Sequence, residues 1–222
     1  MLFRSFVGYI KLTNMRHPAY TFAIEVERQI EALTQDEFHC RRGKSKVLQE
    51  EWYPIARLGL HLKQPGLEVD VEAFGNSGVA DGHIAERGFR DRDFDIQVTY
   101  VHDYEEALRR ELMVKQAFTP GAGPISRDKS SGAVVATMAA VDTGHNVERL
   151  AAALAERFQK KTMISYPPNT ALILAFEDMM LRGRSSWAKL FASMDKQIVP
   201  GGSKFQFVYV LNCATNELHQ VA

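Results

Sequence analysis

The chain has 222 residues, of which 45% are hydrophobic and 24% are charged. This composition is ordinary for a folded globular protein, and the length suits one domain over 1–222. The 27 Lys and Arg side chains balance the 27 Asp and Glu side chains, so net charge gives no case for nucleic-acid binding, and any anion-binding surface has to be local.

Cysteine usage and hydropathy narrow the class of protein further. Cys40 and Cys213 are too few and too far apart in sequence to predict a disulfide framework or a cysteine zinc site. No stretch approaches the roughly 20 apolar residues that span a bilayer, and the first residues lack the apolar core and cleavage site of a signal peptide. We therefore expect a cytoplasmic protein with reduced thiols and no membrane role.

Helical spacing dominates the first quarter of the chain. Phe22, Val26 and Ile30 recur at the period of a helix and predict one over 18–38. A second helix is predicted over 46–62. Pro54 lies inside it and either kinks the helix or occupies the first turn of a new one.

Three strands are predicted next, over 66–75, 78–86 and 93–101. The first alternates strictly between acidic and apolar residues, as a half-buried strand does. The third carries Phe94, Ile96, Val98 and Tyr100 on one face. Turn signals separate the three strands, so we expect an antiparallel meander.

The second half of the chain alternates helices and strands. The stretch 133–141 is left open between a strand and a buried helix, because periodicity does not separate the two. The predicted order is a helix over 103–118 capped by Asp103, a loop over 119–132, a helix over 146–162, a buried strand over 170–178, a helix over 182–194 and a strand over 205–212. This order indicates a single mixed α/β or α+β domain.

One face of the predicted strand hairpin is polar, in the stretch DGHIAERGFRDRDFDIQVTY over 81–100. Asp95 and Gln97 are two apart on a strand and leave the same face, and the right register brings Asp81 beside them. Two carboxylates and an amide oxygen suit Mg²⁺ or Mn²⁺, an ion that activates water for attack on a phosphodiester. Glu50 or Glu51 offers a third carboxylate from the helix upstream.

The order of these elements resembles the core of the PD-(D/E)XK nuclease superfamily, which has the restriction endonuclease-like fold. A helix with Glu is followed by a strand, a strand with Asp, a strand with Asp-x-Gln and a helix. The later AERFQKKTMISYPPNTALILAFED is similar to the second helix of that fold running into a buried strand. The resemblance covers about residues 44–178. It implies a central mixed sheet with a three-strand antiparallel meander, flanked by helices.

Carried over residue by residue, the resemblance implies that Asp81 and Asp95 are metal ligands and that Glu51, less surely Glu50, is the helical acid. Gln97 stands where the family most often has Lys. A lysine stabilises negative charge in the transition state, whereas glutamine only forms hydrogen bonds. The expected activity is hydrolysis of DNA phosphodiester bonds. Many nucleases of this fold act as dimers, so a homodimer is a further expectation.

Other interpretations of the same residues stay open. Polar strand faces usually meet water, and Glu68, Asp70 and Glu72 form a rival acidic row. The fold without its chemistry would serve as a nucleic-acid- or protein-binding module, and an unrelated α/β enzyme of a small metabolite would show a deep apolar pocket.

Three basic groups would hold a phosphate backbone if they ringed the acids. These groups are Arg41, Arg42, Lys44 and Lys46; Arg87, Arg90 and Arg92; and Arg109 and Arg110. Lys160 and Lys161 end a helix, where the helix dipole alone favours cations.

Overall fold

A computed structural model describes residues 12–75, 79–102, 104–120, 123–138, 143–197 and 204–221. Its strands are β1 Arg16–Pro18, β2 Leu67–Ala73, β3 Gly82–Gly88, β4 Arg92–Tyr100, β5 Ile125–Arg127, β6 Val134–Ala136, β7 Thr170–Phe176, β8 Phe207–Asn212 and β9 Glu217–Gln220. Its helices are α1 Ala19–Glu31, α2 Gln35–Cys40, α3 Lys44–Val47, α4 Tyr53–Leu62, α5 Tyr104–Gln116, α6 Thr143–Thr162 and α7 Gly183–Asp195. A π-helical turn, Leu48–Trp52, joins α3 to α4.

Seven of the strands form one mixed sheet in the order β1-β2-β3-β4-β7-β8-β9. β2 pairs with β3 and β3 with β4, both antiparallel. β4, β7 and β8 run parallel, and β9 returns antiparallel to β8. The connection from β4 to β7 is long, as a parallel pair requires, and it contains α5, the hairpin β5–β6 and α6. The predicted mixed α/β class is therefore confirmed.

Helices cover both faces of the sheet and define two cores. On the first face, α1 and α4 pack against β2, β3 and β4, with Phe22, Ile55 and Ile96 fully buried. On the second face, α6 and α7 pack against β7 and β8, with Leu154 and Leu172 fully buried. β7 lies between the two cores and is buried along its whole length, which explains its continuous apolar sequence.

The predicted helix over 18–38 is wrong in extent, because it is two helices. α1 ends at Glu31, and a capping box starts α2: the backbone N–H of Glu37 donates to the Thr34 hydroxyl at 3.3 Å, and that of Thr34 donates to the Glu37 carboxylate at 2.9 Å. In the next helical stretch Pro54 occupies the first turn of α4. Of the two alternatives left open, the structure therefore has the second, preceded by the π-helical turn.

The predicted loop over 119–132 is also partly wrong, because it contains β5. The carboxylate of Asp128 accepts hydrogen bonds from the backbone N–H groups of Ser130 and Ser131 at 2.9 and 2.7 Å, and this closes the turn toward β6. Within the described part of 133–141, only Val134–Ala136 forms a strand. Asp103, the predicted cap, lies outside the described residues. No helix in the described ranges is long and apolar enough to cross a membrane.

Truncation of Ile173 should show how strongly the sheet depends on its central strand. Ile173 lies in the middle of β7, is fully buried and belongs to the first core. We expect Ile173→Ala to lower the free energy of unfolding by about 2–5 kcal/mol, because a cavity remains in a site that does not collapse. The matched control is Val135→Ala on the β5–β6 hairpin, where Val135 is 53% exposed and the change should stay within about 0.5 kcal/mol. Equal losses by chemical denaturation would contradict this.

Candidate functional site

The register of the β3–β4 hairpin decides which polar side chains meet. The backbone N–H of Asp81 donates to the carbonyl of Ile96 at 2.7 Å, and Gly82 lies opposite Ile96. Asp81 therefore lies beside Gln97. One residue pair further along the same face, His83 lies opposite Asp95. The predicted adjacency of Asp81 to the Asp-x-Gln strand is thus present, with Gln97 rather than Asp95 as its direct neighbour.

The Asp81 carboxylate ties the two strands together through one oxygen. Its Oδ2 accepts a hydrogen bond from Gln97 Nε2 at 2.5 Å and another from the backbone N–H of Val98 at 2.7 Å. Gln97 is only 9% exposed, and its Nε2 also donates to its neighbouring carbonyl, that of Val98, at 3.0 Å. The interpretation that this face simply meets water is therefore wrong for Gln97, which is buried in a hydrogen-bonded arrangement with Asp81.

Asp95 has a different partner. Its carboxylate lies 3.0 Å from His83 Nδ1, and the other ring nitrogen of His83 lies 3.3 Å from Asp93. Asp93 is bound in turn by Arg87. The structure thus brings Asp81 to Gln97 and Asp95 to His83. The rival acid Glu72 lies opposite His83 on β2, so it shares the sheet face but is two strands away from Gln97.

The π-helical turn delivers the predicted helical acids to the same end of the hairpin. Leu48 and Trp52 bury the two ends of the turn in the first core. Glu50 contacts His102 Nε2 at 2.9 Å. Glu51 is half-buried, and its pKa is raised by burial and by the negative charge of Asp81. Of the two candidate acids, Glu51 is the one on which the charge of Asp81 acts.

Burial also raises the pKa of Asp81 above its ordinary value, although the Val98 N–H, the Lys161 ammonium and Gln97 all act in the opposite direction. Sequence analysis missed Lys161, which it attributed to the helix dipole. The sequence spacing nevertheless indicated the side of α6 on which Lys161 lies. Lys161 is seven residues after Leu154, so both lie on one side of α6, and Leu154 is fully buried against the sheet.

Thr99 extends the polar row on β4 by one further position, because residues 95, 97 and 99 leave the same face. It is 8% exposed, and its hydroxyl oxygen has no hydrogen-bond partner among the described residues. A buried hydroxyl without a partner is costly. This face of β4 therefore presents polar groups that the surrounding apolar side chains do not satisfy.

The basic groups lie at two different ends of the hairpin. Arg90 and Arg92 pair with the fully buried Glu86, at the end of β3 away from Asp81. At the Asp81 end, Lys46 Nζ lies 4.0 Å from Glu50, and Arg110 contacts His102 at 3.2 Å. Only part of the predicted basic ring therefore surrounds the acids.

The chemistry of the donors at Asp81 fits a small divalent cation. Asp81 and Glu51 are both half-buried, burial and the negative charge of Asp81 raise the pKa of Glu51, and the amide nitrogen of Gln97 donates to Asp81. Mg²⁺ commonly uses one or two carboxylates and completes its shell with water. A set of three or more His, Cys, Asp or Glu side chains arranged to hold a metal is absent from the described ranges. An ion at Asp81 would therefore depend on water as well as on the carboxylates.

The raised pKa of Asp81 gives a signed prediction for stability against pH. Between the ordinary aspartate pKa of about 3.9 and the raised value, the native state binds more protons than the unfolded state, so stability falls as pH rises through this window. We expect Asp81→Asn to remove part of this fall. The difference in free energy of unfolding between the variant and the unaltered chain should grow in favour of the variant from pH 4 upward. A difference that stays constant with pH in urea titrations would contradict the assignment.

Comparisons with protein-family models, with curated proteins and with solved structures gave no match to this chain. The geometry of Asp81, Gln97 and Glu51 and the order of the elements that carry them are therefore the features that bear on function.

Proposed function

We propose that the chain is a metal-dependent nuclease that hydrolyses phosphodiester bonds in DNA at Asp81, with Gln97 and Glu51 as supporting groups. The observation that carries this proposal is the meeting of three predicted site residues from three separate elements. Asp81 precedes β3, Gln97 lies on β4 and Glu51 lies on the π-helical turn. Residues that were selected from the sequence for their chemistry lie together at one end of the sheet.

The order of the elements supports the restriction endonuclease-like fold as part of the proposal. The acid-bearing helical segment is followed by β2, β3 and β4, and α6 then leads into the buried β7. The sheet order β2-β3-β4-β7, with β4 and β7 parallel, gives a mixed sheet that has helices on both faces. This arrangement agrees with the core expected over about residues 44–178.

The roles of the side chains follow from their contacts. A bound Mg²⁺ would polarise the phosphodiester and lower the pKa of a water molecule at this site. The side chain of Gln97 and the backbone N–H of Val98 hold one oxygen of the Asp81 carboxylate in place, and the other oxygen would bind the cation. Glu51 adds a second carboxylate from outside the sheet. Asp95 belongs to this proposal as the acid that His83 orients.

DNA is the proposed substrate because exposed cations flank the acids on the chain segment that leads into the π-helical turn. Arg42, Lys44 and Lys46 are exposed, and Lys46 acts electrostatically on both Glu50 and Glu51. Cations of this kind neutralise backbone phosphates and contribute affinity without sequence specificity. The balanced net charge of the whole chain requires such a local surface.

The direct test is nicking of supercoiled plasmid in the presence of Mg²⁺ or Mn²⁺. Asp81→Asn should lower the cleavage rate by at least about a hundredfold, because loss even of a group that only orients a metal ligand costs 10- to 100-fold. The matched control is Asp91→Asn, which removes an exposed carboxylate in the turn of the same hairpin, where it accepts a hydrogen bond from the backbone N–H of Gly88. It should cleave at the rate of the unaltered chain.

Asp95→Asn distinguishes the two carboxylates. Because Asp95 is engaged by His83, we expect a smaller loss of cleavage than Asp81→Asn causes. Equal losses would identify Asp95 as a direct ligand, as the resemblance implied. No cleavage of duplex or single-stranded DNA by the folded, unaltered chain with either metal would refute the catalytic proposal.

One observation favours a second candidate, a binding or assembly module that keeps the fold and has lost the chemistry. Gln97 donates to Asp81, so these two side chains satisfy each other without a cation. Calorimetry separates the candidates, since a module without chemistry should show no Mg²⁺ or Mn²⁺ binding that depends on Asp81. An enzyme of a small metabolite would show a deep apolar pocket away from the acids, and the groove at the opposite end of the hairpin has charged as well as apolar lining residues. Its lining residues are Lys63, Gln64, Pro65, Gly66, Leu67, Glu68, Arg87 and Gly88.

A further inference from the structure

We infer that the groove at the end of the β3–β4 hairpin away from Asp81 binds an unpaired nucleobase, which stacks on Phe89. The segment that leads into β2 and the last residues of β3 line this groove, and its volume is about 680 Å³. Sites for small molecules and cofactors have volumes in this range. The inference deepens the proposed function and rests on it for the assignment of DNA as the ligand.

Two glycines form the floor of the groove. Gly66 and Gly88 both have positive φ, 77° and 138°. A Cβ at Gly88 would lie 2.2 Å from the carbonyl oxygen of Gly66, so the end of β3 approaches the turn before β2 this closely only because residue 88 is glycine. A Cβ at Gly66 would meet Phe89 Cδ1 at 3.9 Å. The ring of Phe89 therefore lies beside a surface of bare backbone, which suits a planar ligand.

Phe89 is 63% exposed, yet a buried ion pair positions its ring. Glu86 is fully buried, and Arg90 Nη2 donates to its carboxylate at 2.7 Å. The same guanidinium lies over the Phe89 ring, 5.7 Å from the ring centroid. Single exposed apolar side chains are ordinary on protein surfaces. A ring that a buried ion pair holds in place loses less freedom when a ligand binds, so it is preorganised for stacking.

The polar side chains around the groove fit the edge of a base. Lys63 supplies donors, Glu68 supplies acceptors, and the amide of Gln64 supplies both; all three residues are exposed. A nucleobase carries donors and acceptors on its edge and a π-face on either side. A site for backbone phosphate alone would instead be lined by cations. Mixed polarity beside an aromatic ring therefore favours a base, and the ammonium of Lys63 suits the phosphate that adjoins it.

The groove lies at a distance from Asp81 that a single strand of DNA can span. Phe89 follows Asp81 by eight residues, and β3 occupies almost all of that interval. At a rise of about 3.3 Å per residue, the two sites are roughly 25 Å apart. About seven stacked nucleotides cover this distance. The substrate class that follows is DNA with an unpaired stretch, which Phe89 holds while Asp81 acts on the backbone.

The experiment measures how the full chain binds a fluorescently labelled oligothymidylate of about 16 nucleotides. Fluorescence anisotropy is recorded in EDTA, so that cleavage plays no part. Phe89→Ala should weaken binding by about 5- to 150-fold, as loss of one base-stacking aromatic commonly does. Phe89→Leu should lose nearly as much, because it keeps apolar area without a π-face. Phe89→Trp should bind at least as tightly as the unaltered chain, because it presents a larger ring.

The matched control is Phe118→Ala. Phe118 is also an exposed phenylalanine, at 59%, and it follows α5, which begins beyond the opposite end of β4. This variant should bind oligothymidylate as the unaltered chain does. With an abasic oligonucleotide of the same length, Phe89→Ala and the unaltered chain should bind equally, because no base is left to stack. Thermal unfolding checks that each variant is folded.

The outcomes separate this inference from the proposed function. If folded Phe89→Ala and Phe118→Ala bind oligothymidylate equally, the inference is overturned, and the nuclease proposal stands as long as the unaltered chain nicks plasmid. If Phe89→Ala loses affinity but the unaltered chain cleaves no DNA, the groove is supported and the catalytic proposal fails. If the folded, unaltered chain does not bind oligothymidylate, the inference is overturned, and plasmid cleavage decides the nuclease proposal by itself.

Discussion

The carboxylate of Asp81 fixes the geometry on which the candidate site depends. By accepting hydrogen bonds from the side chain of Gln97 and from the backbone N–H of Val98, it locks the end of β3 to β4 at a single register. A shift of one residue would turn Gln97 into the first core and Ile96 out of it. The buried apolar face of β4 and the polar site on its other face are therefore consequences of the same pairing.

The second constraint is the π-helical turn. It begins and ends in buried apolar residues, Leu48 and Trp52, and carries two acids between them. Glu50 contacts His102, and Glu51 interacts electrostatically with Asp81. π-Helical turns are rare and occur frequently at functional sites. In this chain the turn brings a helical carboxylate within electrostatic reach of Asp81, and burial together with the negative charge of Asp81 raises the pKa of Glu51.

Sequence patterns predicted the parts of the fold that depend on local periodicity. The alternation in β4 predicted its buried face, and the continuous apolar run predicted that β7 is a buried strand. The two-residue spacing predicted that Asp95 and Gln97 share a face. The pairing of Asp81 with Gln97 rather than Asp95 depends on hairpin register, which no single strand specifies. β1 and β9 span three and four residues, too few for alternation to indicate a strand. Lys161 was missed because its charge suggested the helix end, while its spacing from Leu154 indicated the buried stripe.

The two ends of the β3–β4 hairpin show why we propose Asp81, rather than Glu86, as the functional carboxylate. At one end, Glu86 is fully buried, and two arginines neutralise it directly. This is how a protein stabilises a buried charge for structure alone. At the other end, Asp81 and Glu51 are half-buried beside each other, and neither forms an ion pair shorter than 4 Å with an arginine or lysine in the described ranges. Carboxylates with perturbed pKa values cluster at functional sites. In the proposed function, a divalent cation would neutralise both acids at once.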